Sequence, residues 1–65
     1  MITSADIGKP VVDDVGRVGV LVDVIADYED PSMPTSERRK RPTAFIRPER
    51  GGREWLASPV EVNRV

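Results

Sequence analysis

The chain has no cysteine and no histidine among its 65 residues. The first absence excludes a disulfide framework, and the two together remove the usual ligands of zinc, copper and iron sites. A chain without thiols suits a reducing compartment, and the expected location is the cytoplasm. Aromatic residues are scarce, with one Trp, one Tyr and one Phe, which leaves little from which to build a base-stacking platform. Long apolar runs are also missing. The most apolar segment is interrupted by Asp23 and Asp27 and falls short of the roughly 20 residues that a membrane span needs. No charged-then-apolar leader opens the sequence, so it reads as a complete soluble chain. No cofactor, membrane or small-molecule substrate is expected.

What is present is a period of two. From Arg17 to Tyr28 the even positions Val18, Val20, Val22, Val24, Ala26 and Tyr28 are all apolar or aromatic, while the odd ones mix charge with apolar residues. That is the pattern of a long strand with one buried face. In so small a chain it must bend, and Gly19 is the expected place, because Gly tolerates bulges and close backbone approach. One domain over residues 1–65 is all the length allows. A chain this short buries roughly 60% of its unfolded surface, so self-association is a natural way to bury more.

Other segments carry their own signals. Thr3-Ser4-Ala5-Asp6 predicts a capped helical turn, with Ile7 against the core and Gly8 closing it. Pro10 to Asp13 predicts a first strand, and Asp13-Asp14-Val15-Gly16 a turn. Residues 29–42, with three prolines and a charge cluster, repeat at neither 2 nor 3.6 residues and predict a mobile inserted loop. Thr43–Pro48 and Arg53–Ala57 predict a hairpin. A four-residue loop over 49–52 sets Arg47 opposite Glu54, Ile46 opposite Trp55 and Phe45 opposite Leu56, pairing like with like better than a two-residue loop at Gly51-Gly52. Pro48, lacking an N–H, is expected at the margin of its ladder. Ser58–Glu61 predicts a 3₁₀ turn, and Val62–Val65 a last strand. The fold expected is therefore all-β, a small SH3-like barrel of about five strands with a short 3₁₀ turn and a long flexible loop. Its expected core is Val11, Val18, Val20, Val22, Val24, Phe45, Ile46, Leu56 and Val60, with Trp55 the largest member.

The same order of motifs resembles the PRC-barrel superfamily. Gly8-Lys9-Pro10-Val11-Val12-Asp13 is similar to that family's opening, Gly16-Arg17-Val18-Gly19-Val20-Leu21-Val22-Asp23-Val24 to its second element, and Leu56-Ala57-Ser58-Pro59-Val60 approximates its closing segment. The likeness covers nearly the whole chain outside the 29–42 loop. It implies a binding or assembly module, since members occur in a photosynthetic reaction-centre subunit, in a ribosome maturation factor and as stand-alone bacterial and archaeal proteins. The segment from Phe45 to Trp55 also resembles small actinobacterial proteins with an Arg-Pro-Glu-x-Gly-Gly-x-Glu-Trp hairpin, a likeness that implies no activity.

Charge is the remaining signal. The net formal charge is −1, but residues 1–30 carry seven acids against Lys9 and Arg17, and residues 31–65 carry eight bases against four acids. Either the halves attract each other within one fold, or the second half presents a basic face. Arg38, Arg39, Lys40 and Arg41 read as a phosphate-binding cluster or as a solvated loop. Arg47, Arg50 and Arg53 read as an extension of that patch, as a grip on an acidic partner through bidentate pairs, or as cross-strand partners of Glu49 and Glu54. Trp55 reads as core or as an interface anchor. The carboxylates Asp13 with Asp14, and Asp27 with Glu29 and Asp30, sit at turns and strand ends, where acids serve local hydrogen bonding better than acid–base catalysis. The expected function is a non-catalytic module for protein–protein interaction or self-association. The alternative is nucleic-acid binding, or a ribosome-linked regulatory role, through residues 38–41.

Overall fold

A computed structural model describes residues 1–65. Five antiparallel strands form one sheet: β1 (Pro10–Val12), β2 (Val18–Tyr28), β3 (Arg41–Pro48), β4 (Trp55–Ala57) and β5 (Asn63–Arg64), in the order β4-β3-β2-β1-β5. The first four strands follow one another as a meander, and β5 returns to pair with β1. The only helical pieces are 3₁₀ turns at Ser4–Asp6, Thr35–Glu37 and Pro59–Glu61. The sheet is not closed, and β4 and β5 are its edges. This all-β plan is compatible with a small SH3-like barrel. No helix is long and apolar enough to cross a membrane.

Local chemistry explains the turns. Thr3 Oγ1 accepts the Ala5 N–H at 3.3 Å and Asp6 Oδ2 accepts the Thr3 N–H at 3.0 Å, a reciprocal capping box around the first 3₁₀ turn. Ile7 is largely exposed beyond it, contrary to expectation, and Ile2 fills the core instead. The Ile2 N–H donates to Pro59 O at 3.2 Å, which ties the first residues to the last 3₁₀ turn. Between β1 and β2, Asp13 Oδ1 accepts the N–H groups of Val15 and Arg17, and Gly16 takes φ 87°, the left-handed region such a turn requires.

The core corrects the expected one. It consists of Ile2, Val11, Leu21, Ala44, Ile46 and Val62, with Val24, Trp55 and Ala57 packed against it. Val18, Leu56 and Val60 are exposed, and Val20, Val22 and Phe45 are half-buried. Plain alternation sets Val18 and Val20 of β2, Phe45 of β3 and Leu56 of β4 on the outer face, and on β2 a β-bulge then switches the inward set. Leu21 stands opposite Ile46, yet Asp23 stands opposite Phe45, so two steps along β2 match one along β3 and Val22 is the extra residue. Odd positions (Gly19, Leu21) face inward before the bulge, and Val24 faces inward after it. Where the ladder is interrupted, Asp23 Oδ1 accepts the Val24 N–H at 2.8 Å. A second irregularity between Ile25 and Tyr28 lies opposite Pro42, which has no N–H to contribute.

The β3–β4 pairing is the expected register: Ile46 with Trp55, Phe45 with Leu56, and Ala44 with Ala57. The ladder stops there. Gly51 and Gly52 take positive φ, residues 49–54 lie outside the strands, and Arg47 and Glu54 are not part of the ladder. Pro48 is the last residue of β3, opposite Gly19. Arg41 and Pro42, expected in the loop, open β3.

Candidate functional site

Two places hold the residues singled out from the sequence: the β1–β2 turn with Trp55, and the outer side of β3 and β4 beneath the 29–40 loop. At the first, Arg17 Nε donates to Asp13 Oδ2 at 2.7 Å while its guanidinium carbon lies 4.8 Å from the centre of the Trp55 ring. The Asp13 side chain is 1% accessible. Burial alone would push its carboxyl up, but the Arg17 N–H, the Arg17 guanidinium and the Val15 N–H together hold it below the ordinary value of 3.8. Trp55 also comes close to β2 at Gly19. A Cβ placed on Gly19 would lie 2.9 Å from Trp55 Cη2, so glycine is what lets the indole approach β2 this closely. Trp55 is thus packed between Arg17 and the core, and its Nε1 is buried without an acceptor.

The second place is built by strand alternation. Ala44 and Ile46 point inward, so Arg41, Thr43, Phe45 and Arg47 point to the outer face of β3, where Phe45 is flanked by Leu56 of β4. After the second irregularity of β2, Tyr28 joins this face, with its ring edge-to-face on Phe45 at 5.1 Å. That pair was invisible in the sequence, because only the register shifts bring the two rings together. The loop then folds over this face. Asp30 Oδ1 accepts the Ser32 N–H and hydroxyl at 2.9 and 2.7 Å, and these bonds hold the Asp30 carboxyl below 3.8. Arg38 turns back to donate to the carbonyls of Met33 and Pro31, both at 3.0 Å.

Between loop and sheet runs an open groove of about 520 Å³, within the span of ligand clefts at roughly 300–1,000 Å³. Tyr28, Thr43 and Leu56 line its sheet side, and Met33, Arg38 and Arg39 its loop side. Lys40 is exposed beside it, Arg47 is exposed further along β3, and Arg50 and Arg53 are exposed in the β3–β4 connection. The structure therefore does not gather the eight candidate residues into one cluster. It disperses the cations around β4 and turns Trp55 inward.

Ion pairing is lopsided. The three pairs, Asp6–Lys9, Asp13–Arg17 and Asp6–Arg64, use three of the ten Lys and Arg residues and all lie around the β1–β2 and β5 side. The other seven, all between residues 38 and 53, have no carboxylate within 4.0 Å. Glu49 and Glu54 form an ion pair with none of them. Among the acids, Asp14, Asp27, Glu29 and Asp30 are exposed, and no three carboxylates converge.

The class these features define is an open, five-stranded antiparallel β domain with a basic side and an edge strand beside a groove. Compared with known proteins, the chain matches no family profile, no curated protein and no solved structure.

Proposed function

We propose that the protein is a non-catalytic β-domain binding module that engages a protein partner, or a second copy of itself, through β4 and the hairpin carrying Arg47, Arg50 and Arg53. The observation that carries this reading is the free edge of β4. That strand pairs with β3 on one side only, and Leu56 at its centre is 46% exposed. An unpaired, uncharged strand edge is a template for another chain unless something blunts it. The PRC-like motifs support the same reading through the family's assembly roles, and a cytoplasmic, bacterial setting goes with it. Trp55 contributes by shaping β4 from within. The test is an amide spectrum of the isotope-labelled protein recorded over a dilution series and then in unlabelled cell extract. Concentration-dependent or extract-dependent shifts at Trp55–Ser58 are expected. A strict monomer whose β4 amides shift and exchange identically in every condition ends the proposal.

A second reading, nucleic-acid binding through Arg38, Arg39, Lys40 and Arg41, draws support from the seven cations without carboxylate partners. Such binding would weaken steeply with salt. Against it stand the commitment of Arg38 to loop carbonyls and the edge-to-face packing of Tyr28 on Phe45, which leaves no pair of parallel faces for bases.

A further inference from the structure

We infer that the groove beside β4 takes an acidic, extended peptide segment, which adds to the sheet as a sixth strand. This rests on the binding-module reading and names its partner class. Three observations converge on one occupant. First, β4 offers an unpaired strand edge, and the groove reaches that strand, since Leu56, Ala57 and Ser58 all line it.

Second, the middle of the site is apolar. Leu56 of the sheet is 46% and Met33 of the loop 42% exposed, and both line the groove together with Tyr28. Third, cations bracket β4 at both ends. Because β4 runs antiparallel to β3, Arg53 and Arg47 lie toward its start, and Arg41 with Arg39 toward its finish. Arg41 and Arg47 share the outer face of β3, about 20 Å apart along the strand. None of these four arginines has a carboxylate of its own.

A segment with carboxylates at both ends and β-branched residues between matches that order. Its backbone would continue the ladder, its apolar side chains would cover Leu56 and Met33, and its acids would reach the bracketing arginines. Asp30 and Glu37 on the groove wall disfavour a phosphate backbone, which carries charge along its whole length.

The probe is a synthetic peptide, Glu-Asp-Val-Ile-Val-Asp-Glu, titrated into labelled full-length protein. Three comparisons accompany it: the version with Lys at every acidic position, the version N-methylated at alternate amides, and a single-stranded oligouridine. The expected result is shifts at Trp55–Ser58 with slowed amide exchange along β4. Binding should be about tenfold tighter than for the lysine version, the sum of a few exposed ion pairs. It should vanish on N-methylation and weaken about tenfold in the double variant Arg39→Glu, Arg41→Glu, whose unchanged spectrum elsewhere reports its folding.

Equal binding of the lysine or N-methylated peptide overturns the inference, and so does displacement of the acidic peptide by oligouridine. If the peptide is silent but β4 shifts on self-dilution or in extract, the acidic-strand inference fails and the binding-module reading stands. If β4 is silent in all of these, both fail.

Discussion

At Gly19 a single missing side chain decides how tightly the sheet can coil. A Cβ there would lie 2.5 Å from Arg47 O and 2.7 Å from Ile46 Cγ2, besides its close approach to Trp55. A carbonyl oxygen held in a ladder cannot swing aside as a side chain can. Gly19→Ala is therefore expected to cost about 1–3 kcal/mol, the range for overpacked cores, read from urea unfolding followed by Trp55 fluorescence. Asp13 works on the same scale. Its carboxyl is held below 3.8 in the folded protein and returns to that ordinary value on unfolding. Its contribution is complete above pH 3.8 and is lost as pH falls through the lower folded value. The urea midpoint should drop in that acidic window, and Asp13→Asn should flatten the drop. An equally steep acid limb in the variant would assign the effect to other carboxylates, Asp30 among them, whose shift has the same sign.

The element that organises the molecule is β2, eleven residues long and serving two regions of the sheet. Its apolar residues occupy both faces, with Leu21 and Ile25 at odd positions and the valines at even ones. Alternation alone cannot tell which set is inside, and a one-residue slip would exchange them. The bulge at Val22 resolves the matter by using each face in turn. Substitutions on either side of it separate the two assignments. Leu21→Ala, at a fully buried position, should lose about 2–5 kcal/mol. Val18→Ala, at a position 41% exposed, should lose about 0.5 kcal/mol or less. Chemical denaturation of the two variants checks this, and similar losses would place Val18 in the core after all. By contrast, β3 and β4 were legible residue by residue. Aligning Ile46 with Trp55 and Phe45 with Leu56 satisfies a short local loop and a two-faced pattern at once, so nothing distant is needed to choose the register.

Over the whole molecule, what holds it together and what it offers to others are carried by different residues. The domain is elongated, 36 × 23 × 19 Å, with the buried cluster between the sheet and the residues at its two chain ends. Its ion pairs lie around β1, β5 and the turns beside them. The basic side around β3 and β4 has no ionic part in that framework. Reversing Arg39 and Arg41 to Glu should therefore leave thermal stability within about 0.5 kcal/mol of the parent, measured by calorimetry. A larger loss would mean that these arginines support the fold through contacts other than ion pairs.

What could be read from residue order alone were the features set by near neighbours. These are the capped 3₁₀ turn at Thr3–Asp6, the Asp13 turn, the β3–β4 register, the 3₁₀ turn before β5 and the all-β plan. The turns and the β3–β4 register are fixed by hydrogen bonds or side-chain pairs within about a dozen residues along the chain, and the all-β plan shows in the period of two along β2. The tertiary structure alone decided the inner face of β2, the burial of Ile2 and Val62, the meeting of Tyr28 with Phe45, and the absence of an ion pair at seven of the cations. These depend on which distant strand lies opposite, and a single extra residue at Val22 changes that answer for everything beyond it.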